Sequence, residues 1–517
     1  MKNISYKRFI FKSALIMGSS TFVSRILGFV RDVVIANFLG STYQADAFFV
    51  AFRIPNLLRR LFGEGSLTAS FIPVFTNYHI EKGKDESDKI ASISFTFLTI
   101  TLIFITIIGI YFSPLIIKII APGFEKEVNK FFLTVKLNRI MFSYIFFISL
   151  VALSMGILNS LKHFFAPSIA PAFLNIAMIC SVLFAYFYNK SIVFGLAYGV
   201  VIGGVLQLLL QIFFIKKLDV KIFPCFQFNH PAIKEILILM GPSIIGLAIT
   251  QINIFIGTLL ASFLPTGSIS YLYYADRLIQ FPLGIFAVSI GSAVLPLLSE
   301  QYSKKQFNEM ENSFIFGMKL IFLITLPATA GLIFAGKPII SFLFQRGKFD
   351  LIALNKTYLA IVGYGLGLWA YAGIRVIVPT FYAFKDTKTP VKASFISLIA
   401  NIILSIILMK YLLHMGLAIA TALASMLNFI LLLFYLNKYL EINLSELLKF
   451  LLKIFWPTLI ISLFLIFLQK FLPYNYSANF LNKFLYIILM VSFSIFLYIG
   501  SCIIFGINEI KTILGKK

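Results

Sequence analysis

The sequence predicts an all-α polytopic membrane protein of about 14 transmembrane helices, arranged as two six-helix lobes in parallel pseudo-repeat plus a C-terminal helix pair. Three observations carry this. Of 517 residues, 60% are apolar and 12% charged, about half the charged share of a water-soluble chain. The apolar residues fall into fourteen stretches, each close to the roughly 20 residues that cross a bilayer core. And the chain repeats itself: Pro73, Pro114 and Pro167 recur as Pro296, Pro338 and Pro390, while Gly195-Leu196-Ala197 with Lys217 recurs as Gly416-Leu417-Ala418 with Lys438.

The stretches, cut at polar or Pro/Gly-rich breaks, run over 14–38, 46–75, 91–120, 137–160, 167–188, 192–215, 235–262, 271–299, 311–344, 351–383, 391–409, 415–436, 450–469 and 484–506. We refer to them as spans 1 to 14. The repeat offset covers six spans, an even number, so both copies share one orientation and are expected to be related by an axis along the membrane normal. This divides the chain into residues 1–217 (spans 1–6), 218–438 (spans 7–12) and 439–517 (spans 13 and 14). Two such lobes facing a cleft form an alternating-access transporter. The windows that lie inside for an N-in chain hold 21 Lys and Arg, and the opposite windows hold 9. Both termini are therefore expected in the cytoplasm. The first apolar stretch has no small-residue cleavage context and should stay in the mature protein.

The net charge of +24 would suggest nucleic acid in a soluble chain, but here the cations sit between apolar runs and face headgroups and cytoplasm. No nucleic-acid partner is expected. Cys180, Cys225 and Cys502 match no metal or redox spacing and read as packing. His79, His163, His230 and His414 fall in or beside loops and receive no chemistry. No nucleophile sits beside a base, no metal-ligand cluster occurs and no phosphate-binding loop is present, so neither an enzyme nor a cofactor is expected. Energy must come from an ion gradient, the membrane potential or the substrate gradient.

The informative residues are ionisable groups inside apolar spans, each costing several kcal/mol unless it meets water, a partner or a polar ligand. Span 1 holds Arg25, Arg31 and Asp32; span 2 holds Asp46, Arg53, Arg59, Arg60 and Glu64; span 8 holds Asp276 and Arg277; span 10 holds Arg375. Arg25 and Asp32 are seven apart, as are Asp46 and Arg53, and Arg53 and Arg60, which places each pair along one helix face. Glu64 follows Arg60 by four, within ion-pair reach. These seven arginines face four acids, and a surplus of guanidinium in an apolar bundle calls for an anion with paired oxygens, such as phosphate or carboxylate. Snorkelling to headgroups or pairing with Asp46 is the competing use for Arg53, Arg59 and Arg60. Pro55, Gly241 with Pro242, Pro282 and the Gly363, Gly365, Gly367 run are packing notches or bending points.

At Ser24-Arg25-Ile26-Leu27-Gly28-Phe29-Val30-Arg31-Asp32, at Ala45-Asp46-Ala47-Phe48-Phe49-Val50-Ala51-Phe52, at Pro55-Asn56-Leu57-Leu58-Arg59-Arg60 and at Gly63-Glu64-Gly65, the sequence resembles the MviN/MurJ family. These are bacterial lipid II flippases of the multidrug/oligosaccharidyl-lipid/polysaccharide exporter superfamily. The likeness continues at Tyr273-Tyr274-Ala275-Asp276-Arg277-Leu278 and at Pro296. It implies export of the undecaprenyl-pyrophosphate-linked peptidoglycan precursor, lipid II, across the inner membrane. It also implies that Arg25, Arg31, Arg59 and Arg277 are cavity arginines that bind substrate, with Asp46 an important acid of span 2. Asp32, Arg53, Arg60, Glu64 and Asp276 are then supporting charge pairs, and spans 13 and 14 a lateral groove for the lipid tail.

Some members of the family bind sodium through carboxylates in spans 7 and 11. Here Gly241–Ser262 and Val391–Met409 contain no Asp or Glu, so the membrane potential is the expected driver. A monomer is expected, with membrane lipids around it and cell-wall synthesis proteins as candidate contacts. The competing readings are a flippase for another polyprenyl-linked glycan, a drug/cation antiporter of the same superfamily, and a non-transporting cell-wall scaffold. The antiporter would concentrate buried carboxylates, opposite to the sign found.

Overall fold

The computed structural model describes residues 2–59 and 67–510, with side chains described throughout except at 2–14, 58, 68–69 and 242–250. Arg60 and Glu64 lie outside the described residues. The described chain is helical without strands, in nineteen helices that follow the fourteen predicted spans. Span 1 is α1 (Lys2–Leu39); span 2 is α2 (Tyr43–Leu58) and α3 (Leu67–Glu81); span 3 is α4 (Lys84–Tyr111) and α5 (Ser113–Ile120). A 3-10 turn (Pro122–Lys126) leads into span 4, made of α6 (Val128–Phe142) and α7 (Tyr144–Ser160). Spans 5, 6 and 7 are α8 (Phe165–Phe187), α9 (Ile192–Lys217) and α10 (Pro231–Ser262). Span 8 comprises α11 (Ser268–Pro282), a π-helical turn (Leu283–Ala287) and α12 (Val288–Ser303). Span 9 is α13 (Phe307–Phe334) and α14 (Gly336–Phe344), and span 10 is α15 (Leu351–Gly365) and α16 (Leu368–Ala383).

Spans 11 and 12 form one helical run, α17 (Lys388–Leu436), of 49 residues. At about 1.5 Å per residue this would be more than twice the thickness of a bilayer core. The non-helical backbone of Leu413 (φ 51°, ψ −131°) divides it near the predicted boundary. Spans 13 and 14 are α18 (Leu444–Phe471) and α19 (Phe480–Ile504). Among the described residues nine helices are long and apolar enough to cross a membrane, or ten with α15 and α16 taken as one span bent by 43°. That bend falls at Gly365 and Gly367, within the glycine run; Gly363 is instead a notch, since a Cβ there would meet Ala418 Cβ at 2.7 Å. Pro282 ends α11 directly before the π turn, where an i→i+5 bond replaces the i→i+4 ladder.

The helix lengths also recur. A 28-residue helix, a one-residue break at Phe112 and the short α5 are matched by a 28-residue helix, a break at Ala335 and the short α14. Pro114 and Pro338 each occupy the first turn of the short helix, where the missing N–H has no intrahelical carbonyl to bond.

The chain falls into two compact units, residues 1–267 and 268–517. In the first, α8 and α9 form the most extensive helix pair. Gly195, Gly199 and Gly203 recur every four residues on α9, and a Cβ there would lie 2.7–2.9 Å from Ala185, Met178 and Leu174, so only glycine permits this approach of backbones. A core of Phe71, Phe75, Ile90, Ile93, Leu153, Ile157 and Ile233 joins α3, α4, α7 and α10. In the second unit Gly291 of α12 admits the Arg375 carbonyl of α16, which would stand 2.2 Å from a Cβ. There α18 and α19 are fastened along span 9. Lys319 pairs with both Glu446 (2.8 Å) and Glu509 (3.0 Å), the Tyr498 hydroxyl donates to the Leu323 carbonyl (2.7 Å), and the Gln469 amide donates to the Phe334 carbonyl freed at the α13–α14 break (2.5 Å). Of the three cysteines Cys502 is buried, Cys225 is half-buried and Cys180 is exposed, so packing does not describe Cys180.

Candidate functional site

Polar groups in the first unit gather at two places. On α1 the Arg31 guanidinium donates from Nη2 and Nε to Asp32 Oδ1 at 2.7 and 3.0 Å, and from Nη1 to Asn175 Oδ1 of α8 at 3.0 Å. Asn175 Nδ2 in turn donates to the Ser24 carbonyl at 3.0 Å. Arg31 and Asp32 are buried, at 6% and 2% exposure. Asp32 thus holds its immediate neighbour, although the two-turn spacing singles out Arg25. Adjacent side chains on a helix project about 100° apart, and the length of the arginine lets its fork fold back across that angle. Arg25 is exposed in an apolar stretch, flanked by the exposed Phe22, Val23 and Ile26, and has no ion-pair partner among the described residues.

The second place is the first turn of α2. Asp46 is 1% exposed and accepts from Lys130 Nζ at 3.1 Å and from the Gly267 backbone N–H at 2.7 Å. Lys130, 2% exposed at the start of α6, also reaches Thr266 Oγ1 (3.2 Å) and Glu127 (3.6 Å) and lies over the Phe124 ring. Arg53, two turns along α2, is directed to α10, where Nη1 donates to the Ile254 carbonyl at 3.1 Å and to Thr258 Oγ1 at 2.5 Å. A helix face shared by Asp46 and Arg53 therefore serves two different neighbours. Arg59, at the end of α2, forks onto Asn56 Oδ1 from Nε and Nη2 at 3.2 and 3.0 Å.

In the second unit Arg277 is half-buried on α11. Its Nη2 donates to the Tyr273 hydroxyl at 2.9 Å and its Cζ lies 5.0 Å from the same ring's centroid, one turn back along the helix. Asp276 is exposed and accepts from Gln280 at 3.3 Å. His414 is buried, bonded to the Lys356 carbonyl at 2.8 Å and packed on Tyr271. Among the described residues no group of His, Cys, Asp and Glu could hold a metal ion.

Asn175 and Lys130 escaped the sequence reading. Asn175 is neutral, and only its position as a lone amide in an apolar span marks it. Lys130 counts as a loop cation until the 3-10 turn folds it inward.

The family model described as "Lipid II flippase MurJ" matches residues 35–487. The chain belongs to the MurJ family. A probable lipid II flippase MurJ of Buchnera aphidicola subsp. Acyrthosiphon pisum (strain APS) is 37% identical over 92% of this chain and 93% of its own. The lipid II flippase MurJ of Burkholderia cenocepacia is 34% identical over 83% of this chain and 84% of its own. Among solved structures, a lipid II flippase MurJ in an inward closed conformation superposes with a TM-score of 0.80 at 31% identity, covering 96% of this chain and all of that one. An inward-facing multidrug resistance MATE family transporter of the MOP superfamily matches at TM-score 0.67 and 16% identity over 82% of the chain, and shares the fold. MurJ membership makes the chain a multi-pass membrane transporter. The family model begins after Asp32, whereas the superposed lipid II flippase MurJ structure covers 96% of this chain.

Proposed function

We propose that this protein flips lipid II from the inner to the outer leaflet of a bacterial inner membrane by alternating access, with Arg25, Arg31, Arg59 and Arg277 binding the diphosphate. The observation that carries the reading is Arg25, a guanidinium exposed within an apolar stretch of α1 and lacking an ionic partner among the described residues of a chain belonging to the MurJ family. Such a group is costly in a membrane unless an anion meets it, and the arginine fork fits phosphate oxygens. Arg31, fixed by Asp32 and Asn175, would present its charge with little ordering cost. Arg277 on Tyr273 and Arg59 on Asn56 would do the same from helices α11 and α2.

Asp32, Asp46, Arg53, Arg60, Glu64 and Asp276 act as supporting charges, and the functional lobes are residues 1–217 and 218–438, with 439–517 carrying the lipid tail. Both termini face the cytoplasm, following the bias of Lys and Arg, and the protein works as a monomer among membrane lipids. With net positive charge at the diphosphate site, the empty carrier is drawn inward by an inside-negative potential, worth about 2.3 kcal/mol per charge per 100 mV. The test is depletion in cells followed by an externally added toxin that cleaves lipid II. Lipid II should become inaccessible on depletion, and accessibility should return with this chain but not with its Arg25→Ala variant. Unchanged accessibility on depletion would overturn the reading.

A further inference from the structure

Four of the nine Lys and Arg residues on the face that the charge bias assigns to the outside crowd into two short segments. Residues 345–350 and 470–483 hold Arg346, Lys348, Lys470 and Lys483 against one acid, Asp350. This runs against the tendency that keeps outer loops poor in cations.

The second unit brings the two segments together. Lys483 Nζ, near the start of α19, lies 3.4 Å from both Ser341 Oγ and Gln345 Oε1 at the end of α14. The Arg346 guanidinium sits 5.8 Å from the Phe480 ring centroid, and Phe342 packs against Phe480 and Phe484 at 5.4 and 5.9 Å. Beside them opens a cleft of about 420 Å³ lined by Gln345, Arg346, Gly347, Phe349, Asp350, Leu351 and Ile352.

The loop is built to hold its shape. Gly347 takes the left-handed conformation (φ 55°), and the Phe349 ring is 1% exposed between Tyr274 and Phe344. The Asp350 carboxylate is engaged by the Ala353 backbone N–H at 2.7 Å. Arg346 and Lys483 have no ion-pair partner among the described residues, and Lys348 is exposed.

We propose that the mouth of this cleft, where Lys348 and Lys483 adjoin the lining Arg346, is a second anion site, which takes the headgroup of an anionic phospholipid or polyprenyl diphosphate at the outer membrane surface. Arg346, Lys348 and Lys483 meet the phosphate oxygens, and the Phe342, Phe480 and Phe484 rings receive the first carbons of the chain. The assignment of this face to the outside rests on the proposed orientation; the chemistry of the cleft does not. The same groups suit a delivered diphosphate lipid and an acidic phospholipid of the leaflet, and the experiment separates them.

A photo-crosslinking amino acid replaces Leu351, half exposed in the cleft wall, in the full chain held in phosphatidylcholine nanodiscs doped with either phosphatidylglycerol or undecaprenyl diphosphate. The doped lipid should be crosslinked in excess of its share, and Arg346→Gln with Lys348→Gln and Lys483→Gln should abolish the excess. Each cation lost should lower it about fivefold. Excess with undecaprenyl diphosphate alone identifies the substrate lipid, and equal excess with both identifies acidic lipid in general. Lys348→Glu, a single exposed change, keeps the test available if the triple variant fails to fold. An excess unchanged by Lys348→Glu or by the triple variant would overturn the proposal. Because the readout is a crosslink and not transport, an Arg25→Ala protein should retain it. Loss of the excess in the triple variant alongside intact lipid II export would leave the proposed function standing.

Discussion

Lys130 and Asp46 form a buried ion pair 3.1 Å apart in which neither side chain exceeds 2% exposure, joining the first turn of α2 to the start of α6. Removing one partner leaves an uncompensated charge where water does not reach, which costs about 3–5 kcal/mol. Asp46→Asn or Lys130→Met alone should therefore lower thermal stability sharply. The double variant should recover much of the loss, since the apolar Met leaves no stranded cation. Melting of the purified proteins checks this; losses that simply add would show that the pair is not coupled.

Asn175 should act as a positioning residue for Arg31. Asn175→Leu removes the acceptor for Nη1 and the bond to the Ser24 carbonyl while keeping the volume close. Toxin-accessible lipid II should fall about tenfold or more, the equivalent of one hydrogen bond to a charged group, and by more than the accompanying loss of folded protein measured by expression and melting. A variant that transports normally would remove Asn175 from the site.

For Arg277 the expected order is wild type, then Tyr273→Phe, then Arg277→Lys, then Arg277→Ala. Phe keeps the ring beneath the cation and loses only the hydroxyl, Lys replaces a fork with a point charge, and Ala leaves nothing for the anion. Growth of cells that depend on each variant as sole flippase ranks them. Normal growth on Arg277→Ala would exclude the arginine from substrate binding.

The loop between α16 and α17 gives a pH prediction. Burial alone would raise the Asp386 carboxyl, but hydrogen bonds from the Thr389 hydroxyl and N–H, the Tyr439 hydroxyl and the Lys388 N–H outweigh it and hold the group below its ordinary value. A depressed acid stabilises the fold above its unfolded pKa and stops doing so as pH falls through the folded one. Tyr439, raised chiefly by its bond to Asp386, contributes below the ordinary tyrosine value and loses its contribution as pH climbs through the raised one. Asp386→Asn should lower melting temperature between the two limbs and flatten both the acid and the alkaline decline. An unchanged acid limb would mean that the carboxylate is not held this way.

Energy coupling is tested by separating voltage from ion identity. Collapsing the potential should stall export, whereas exchanging sodium for potassium at fixed potential should not, because α10 from Gly241 onward and Val391–Met409 of α17 lack carboxylates. Loss of export on sodium removal alone would reveal a cation site.

The helices were legible because bilayer thickness imposes a length on every apolar run, so composition and proline breaks locate them. Partners of the charged groups were not. Periodicity ties Asp32 to Arg25 and Asp46 to Arg53, yet Asp32 is met by its neighbour Arg31 and Asp46 by Lys130, 84 positions away in sequence. Spacing on one helix says which side chains share a face, and nothing about which other helix will be packed there. Asn175 illustrates the same limit, because an amide becomes informative only once α8 lies against α1.

The π-helical turn at Leu283–Ala287 winds in a residue beyond what an α-helix would use. Asp276 and Arg277 precede it and Gly291 and Pro296 follow, so a helical wheel drawn through the whole of span 8 is out of phase by about 100° on one side of the turn. Any homologue, chimera or designed graft that drops a single residue between these points would keep every motif in its text and yet aim Arg277 toward a different quadrant. The meaning of a shared motif in this family thus depends on a residue count several positions away from it.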